Sequence, residues 1–291
     1  MKILDPGLAI VQAATDGDLA ALDALLLAIQ PGIYNLAVRM LGNRDDAADA
    51  TQEILLKVIT HLSGFRRESA FTTWVFQVAR NHLLTAITRA RESPEVSLDS
   101  LAERLQQGIE FSLRQGDPYG GGQALRPEEK IEARQIALGC TQNMLMAIDR
   151  EQRLAYVLDA VFGLPSKEAA EVLGISAAAY RQRLSRARAK LDAFTRASCG
   201  LANPAAACSC ERQMPALRQA RAAGLTQPGV IASDRSEREA VERQFDALVR
   251  MVDAAALFRA HPEYRVPASL QGAIRAVLSQ EGYWDEERPL N

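Results

Sequence analysis

The sequence predicts an all-α protein: two small helical domains joined by a linker and followed by a helical extension. Three observations lead there. Apolar residues recur at three- and four-residue steps along most of the chain, runs of Val, Ile and Thr in strict alternation are missing, and stop signals such as Gly42-Asn43 and Ser63-Gly64 divide the periodic stretches. At 291 residues, 48% hydrophobic and 24% charged, the chain has room for two or three domains and the make-up of an ordinary globular protein.

In the first domain, residues 1–92, Leu22, Leu25, Leu26, Ile29, Ile33, Leu36, Ala37, Met40 and Leu41 mark one helical face. Pro31 is expected to bend or break that helix, because it lacks an N–H and crowds the preceding turn. Asp45 or Asp46 offers a cap for a second helix with the core face Ile54, Leu55, Val58, Ile59 and Leu62, and a third is expected from about Ala70 to Arg91. The apolar run Leu19 to Ile29 is interrupted by Asp23 and has no basic leader. Neither a signal peptide nor membrane insertion is expected, and the cytoplasm is the expected location.

Residues 93–127 read as an acidic, flexible linker, with a weakly apolar helix around Leu98 to Leu113 and then Gly116 to Gly122, which holds Pro118 and three consecutive glycines. Residues 128–197 read as a long helix into Ile148, a second over Glu151 to Val161, a short one over Ser166 to Leu173, the turn Gly174-Ile175-Ser176 and a final basic helix. Residues 198–291 form an extension with at least two more helices, Ser236 to His261 and Pro267 to Gln280.

Charge is segregated along the chain although the net charge is only -2. Phe65 to Arg91 carries five arginines against Glu68, and Ser176 to Arg196 carries five arginines and Lys190 against Asp192. Asp16 to Glu53 sets seven acidic residues against Arg39 and Arg44, and Glu92 to Glu129 sets eight against three. Two basic segments in an acidic frame are the footprint of a nucleic-acid binder. With three histidines and no legible catalytic triad, phosphate loop or metal triad, an enzyme is not expected.

The segment Lys167-Glu168-Ala169-Ala170-Glu171-Val172-Leu173-Gly174-Ile175-Ser176 has the pattern of a helix-turn-helix: small alanines where two helices approach, a glycine for the turn and a serine cap. Its second helix would be the duplex reader. Ser176, Ala177, Tyr180, Arg181, Arg183, Arg186, Arg188 and Lys190 are the candidate contacts, the first turn for base edges and the cations for phosphates. In the first basic segment Phe71, Trp74, Val75 and Val78 form an expected buried stripe. Around it Arg66, Arg67, Thr72, Thr73, Gln77, Arg80, Asn81 and His82 offer hydroxyl, amide, imidazole and guanidinium groups to an unpaired strand. Trp74 is either core packing or a base-stacking platform.

Cys199, Cys208 and Cys210 cluster in the extension, with Asn203-Pro204 turning the chain between the first thiol and the closely spaced pair. They are candidate ligands for zinc or another metal. A fourth ligand would be needed, with Cys140 or His261 as candidates. No other cofactor is expected.

Asp49-Ala50-Thr51-Gln52-Glu53, then Phe65-Arg66-Arg67-Glu68-Ser69-Ala70-Phe71-Thr72-Thr73-Trp74 and Val78-Ala79-Arg80-Asn81 resemble the second conserved region of bacterial extracytoplasmic-function (ECF) sigma factors. The helix-turn-helix ending Arg183-Leu184-Ser185-Arg186-Ala187-Arg188 is similar to their fourth region. The resemblance covers about Leu22 to Arg91 and Ile136 to Arg196. It implies a subunit that binds core RNA polymerase through Asp49, Gln52, Glu53, Leu56 and Lys57, and that captures the melted minus-ten strand with Phe65 to Arg89. It further implies that Ser176 to Lys190 reads the minus-thirty-five duplex of promoter DNA, that the acidic linker lies in the polymerase channels, and that control comes from an anti-sigma factor or in cis from the extension. Tyr180 and Ala179 depart from the small aliphatic residue and threonine usual there, so promoter sequence does not transfer. A free-standing helix-turn-helix regulator with a metal- or redox-sensing carboxy-terminal region is the competing expectation.

Overall fold

The computed structural model describes residues 3–89, 97–120, 124–224, 258, 263–270, 272 and 276. Among these residues there are helices and no strands. The helices are α1 (Leu8–Thr15), α2 (Leu19–Leu41), α3 (Arg44–Thr60), α4 (Phe71–Arg89), α5 (Leu98–Arg114), α6 (Pro127–Met146), α7 (Arg150–Ala160), α8 (Ser166–Leu173), α9 (Ala177–Ser198) and α10 (Cys210–Ala222), with a 3-10 turn at Leu62–Gly64. Two compact units form: residues 1–91, 157–181 and 263–291 in one, 92–156 and 182–262 in the other. The grouping of α8 with the first helices has a packing cause, since α8 lies on α4.

In the first unit α2 packs on α1, α3 and α4. Pro31 does not break it into two helices: α2 runs for 23 residues. The reason lies in orientation. Pro31 is exposed, and the Leu27 carbonyl that its missing N–H would have bonded belongs to a residue 53% exposed, where water takes the bond. By length and composition α2 could cross a membrane, but 67% of its most apolar window is buried inside the bundle, as in a core helix.

The inner turns of α2 hold a polar node. Asn35 Nδ2 donates to the Pro31 carbonyl at 2.9 Å and to the Tyr264 carbonyl at 3.0 Å, while Asn35 Oδ1 accepts from Tyr264 N at 2.7 Å. Arg39, 1% exposed, donates through Nη1 to the Asn35 backbone and side-chain oxygens, and its guanidinium lies 5.0 Å from the Tyr264 ring centre. Burial lowers the Arg39 pKa from its ordinary value, while Tyr264 and Glu263 favour its charged form. A piece of the carboxy-terminal extension is thereby part of the core around α2. Of the two helices expected in that extension, Ser236 to His261 lies outside the described residues except Phe258, and the start of Pro267 to Gln280 is helical at 268–270.

In the second unit α10 packs on α5 and α6. The described linker residues are therefore not a solvated tether. Ser97 and Ser100 cap α5 reciprocally, Gln213 Nε2 donates to the Leu105 carbonyl at 2.9 Å, and Arg212 grips Asp117 at 3.3 and 2.9 Å. Glu129 accepts from Arg126 N at 3.0 Å, Arg126 Nη2 at 2.9 Å and the Tyr119 hydroxyl at 3.0 Å, which closes the start of α6. These bonds, with Arg126 foremost, hold the Glu129 carboxyl down at about 2. At the other end of α6, Arg153 is 8% exposed and donates to the carbonyls of Leu145, Met146 and Ile148, where a cation meets the negative helix end.

Asn35→Ala would remove both buried hydrogen bonds between α2 and the Tyr264 backbone. A loss of about 2 kcal/mol in unfolding free energy is expected from denaturant melts; a loss near zero would show the node to be replaceable. The Glu129 contribution has the sign of a depressed carboxylate: fully present above the unfolded value of 4.5 and lost as pH falls towards about 2. An NMR titration of the Glu129 side chain should place its midpoint well below the ordinary 4.5.

Candidate nucleic-acid and polymerase interfaces

Helix α3 presents two faces. Ala47, Ala50, Thr51, Ile54, Leu55, Val58 and Ile59 are buried, whereas Asp49, Glu53 and Lys57 are exposed and Gln52 and Leu56 half-buried. Positions 49, 52, 53, 56 and 57 follow the three- and four-residue spacing of one helix side, so the five polymerase-contact candidates form a single outward stripe. His82 of α4 joins its edge: Lys57 Nζ lies 2.8 Å from His82 Nδ1, and that nitrogen lies 3.6 Å from Glu53 Oε2.

The candidates for an unpaired strand spread over α4 and the loop before it. Arg66 and Asn81 are exposed, and Thr72 is half-buried. Arg67 is exposed with a positive φ of 60°, and its guanidinium donates to the Gln12 side chain of α1. Thr73 is 4% exposed and belongs to the core rather than to an open surface. Its place in the expected non-buried set fails because Phe71, Val75, Phe76 and Ala79 set the buried face one position away from the stripe read in the sequence. Trp74 is half-buried in a three-ring cluster, 5.6 Å from Phe65 and 5.7 Å from Phe71, with those two rings 5.3 Å apart. The cluster fixes the loop to the start of α4.

Gln77 and Arg80 are engaged by the helix-turn-helix segment of the same unit. Gln77 Nε2 donates to the Glu171 carbonyl at 3.2 Å and Arg80 Nη1 to the Val172 carbonyl at 3.4 Å. These are among the last carbonyls of α8, which have no partner within the helix, and the Arg80 charge suits the negative helix end. Phe76 meets Phe162 edge-on at 5.2 Å beside them.

The turn after α8 is a Schellman motif: Gly174 N donates to the Glu171 carbonyl and Ile175 N to the Ala170 carbonyl, both at 3.1 Å. Gly174 has φ 63°, a conformation glycine takes at no steric cost. Ser176 Oγ accepts from Ala179 N at 3.1 Å and so serves as the cap of α9. Along α9, Arg181, Arg186, Arg188 and Lys190 are exposed and Ala177 is half-buried. Tyr180 is fully buried and is a core residue in this arrangement, not a base reader, because its ring fills the inner side of the first turn of α9. Arg183 is held by Glu151 at 2.8 Å.

Cys199, Cys208 and Cys210 line one cavity of about 540 Å³ in the second unit, together with Cys140. Among the described residues no three His, Cys, Asp or Glu side chains stand in a metal-ligating arrangement. His261 lies outside the described residues. Sequence reading did not single out Gln12, Asn35, Glu151 or Arg153, whose roles depend on long-range partners.

Residues 25–93 match the family model of sigma-70 region 2, and residues 138–191 match that of sigma-70 region 4. The RNA polymerase sigma-H factor of Pseudomonas aeruginosa is 28% identical over 190 residues, covering 63% of this chain and 90% of that protein. The ECF RNA polymerase sigma-E factor of Escherichia coli K12 is 26% identical over 191 residues, covering 63% and 91%. Among solved structures, the sigma factor RpoE in complex with the anti-sigma factor NepR from Bartonella quintana matches with a TM-score of 0.39 and 20% identity, covering 59% of this chain and 94% of that one.

Removing the α4 donors tests the contact with α8. The double variant Gln77→Ala, Arg80→Ala should lose about 1 kcal/mol per bond, seen as faster amide exchange across residues 169–176 with the protection of α2 retained. Unchanged exchange there would mean that Phe76 and Phe162 suffice.

Proposed function

The chain belongs to the ECF group of the sigma-70 family and acts as an RNA polymerase sigma factor, and from that premise we propose how its parts divide the work. Residues 1–92 bind core polymerase and the melted minus-ten strand, residues 128–197 read the minus-thirty-five duplex, residues 93–127 connect them, and residues 198–291 regulate. The outward stripe of α3 is the polymerase contact, with Asp49 and Glu53 supplying charge and Leu56 an apolar centre. Arg181, Arg186, Arg188 and Lys190 on α9 neutralise phosphates of the upstream duplex. Arg66, Thr72, Trp74, Gln77, Arg80 and Asn81 engage the opened strand, offsetting the few kcal/mol per step that unstacking costs. The protein works in the cytoplasm and has no catalytic centre of its own, the chemistry being the polymerase's. This role needs no cofactor.

The observation that carries the reading is the hold of α4 on α8. Gln77 Nε2 and Arg80 Nη1 are engaged by α8 carbonyls, so a strand would meet the remaining donors of these side chains or draw them away from α8. Tyr180 contributes indirectly, by setting the angle at which α9 offers Arg181.

Run-off transcription with purified core enzyme tests this. Asp49→Lys with Glu53→Lys should weaken core binding at least about tenfold, roughly 1.4 kcal/mol. Arg181→Ala with Arg186→Ala should cost about 1–3 kcal/mol in upstream-element binding and flatten its salt dependence. A chain that binds an operator duplex unaided and leaves start-site choice by core enzyme unchanged would instead be a free-standing regulator.

A further inference from the structure

We propose that α5, α6 and α10 enclose a binding site for a small apolar acid, with its aliphatic body between the helices and its carboxylate on the arginines of α5 and α10. Helix α10 packs on α5 and α6, and the three leave a cavity of about 630 Å³. Small-molecule sites have that size, about 300–1,000 Å³. Its apolar wall is Leu101, Leu105, Phe111, Ile136 and Leu217. Leu101 is buried and the other four are half-buried, so apolar surface here stays partly open instead of being closed by packing.

One residue of the wall has no packing reason to be what it is. Gly139 lies inside α6, where glycine weakens a helix relative to alanine. A Cβ there would meet nothing within 4 Å, so no neighbour requires the glycine. Gly108 of α5, on the same cavity, is the contrast. A Cβ at Gly108 would collide with the Gln213 side chain, which donates to the Leu105 carbonyl at 2.9 Å, so that glycine serves the approach of α10. Gly139 instead keeps space free on the α6 side of the cavity.

Charge selects the occupant. Arg104, Arg114 and Arg221 line the cavity and are exposed, whereas among the described residues no aspartate or glutamate lines it. The other polar side chains of the lining are neutral amides and the Cys140 thiol. The Arg114 guanidinium lies 6.0 Å from the Phe111 ring centre, at the limit of cation–π range. Arg221 Nη1 lies 3.9 Å from Glu132, a carboxylate that Arg218 already holds at 2.7 Å. Arg104 is felt at Cys140, whose ionised form it favours. A guanidinium has five N–H donors and binds a carboxylate through paired, charge-assisted hydrogen bonds. An apolar interior with cations at its exposed residues fits a molecule that is apolar over most of its length and anionic at one end. A free inorganic anion or a nucleic-acid phosphate would use the arginines and leave the apolar wall wet.

Isothermal titration of the full-length chain with sodium decanoate should show saturable one-to-one binding, with decan-1-ol at least about tenfold weaker and inorganic phosphate no competitor. Equal affinity for the alcohol would overturn the anionic assignment, and displacement of decanoate by equimolar phosphate would overturn the apolar one. Combining Arg104→Gln, Arg114→Gln and Arg221→Gln should weaken decanoate at least about tenfold and leave decan-1-ol unchanged. Gly139→Leu, which fills the cavity from α6, should abolish binding of both with helix content retained by circular dichroism; undiminished binding would place the site elsewhere. Gly139→Ala should raise the melting temperature, and a fall would give the glycine a packing role and remove its support for the site. Hydrogen exchange on the unaltered chain is independent of whether any variant folds. Decanoate should slow exchange at residues 101–114, 135–143 and 213–221 and leave α3 unchanged, while no binding, or slowing spread evenly along the chain, overturns the site altogether. None of these readouts depends on transcription.

Discussion

A short helix ends in carbonyls that its own turns leave unpaired, and at the end of α8 the side chain of Arg80 on α4 donates to that of Val172, while Gln77 adds a second donor to that of Glu171, which Gly174 N already bonds. Much follows from that one junction. It fixes α8, and through the Gly174 turn the first residues of α9, on the helix proposed to capture the opened strand. Each bond contributes on the order of 1 kcal/mol, and the edge-on Phe76 and Phe162 pair adds roughly as much again beyond its buried area. A contact of that size is weak enough for a competing surface to displace, because phosphates and base edges could take over the same donors. A more apolar junction would have been harder to open.

The extension is joined to the rest by bonds of two kinds. Tyr264 enters through a doubly hydrogen-bonded Asn35 and a buried Arg39, where a missing partner would strand polar groups away from water. Helix α10 is held by Arg212 on Asp117 and by Arg218 on Glu132, where Arg218 is 44% exposed and the gain from its ion pair is well under 1 kcal/mol. Its seat on α5 and α6 therefore depends on apolar contact and on Gln213. The second attachment is the looser one.

Helices α2 to α9 were readable from periodicity, because the apolar spacing that makes a helix also decides which side it buries, whereas α1 and α10 were not read from the sequence. The turn at Gly174 and the outward stripe of α3 were legible for the same local reason. What escaped the sequence was tertiary. Pro31 breaks a helix only when the carbonyl it abandons is buried, and its exposure is a property of the fold. Tyr180 and Thr73 carry polar atoms in basic, polar segments, yet their neighbours bury them. The acidic linker looked like a tether because the arginines that bind it, Arg212 and Arg218, lie about a hundred positions downstream. Cys140 was legible as a fourth thiol but not as a neighbour of the other three.

The same long-range pairing explains how a chain of net charge -2 can bind polyanions. In the second unit four acids are paired with arginines: Asp117 with Arg212, Glu129 with Arg126, Glu132 with Arg218 and Glu151 with Arg183. Charges paired at contact distance largely cancel beyond a Debye length of about 8 Å. The surface of α9 exposes Arg181, Arg186, Arg188 and Lys190, a cluster of positive charge that the sum over the sequence conceals. The exposed Asp49 and Glu53 of α3 lie on a different helix of the chain, so the proposed DNA contact and the proposed polymerase contact fall on separate helices. The acids of the frame are thus divided between holding arginines in place and meeting a partner, and neither task requires the molecule as a whole to be basic.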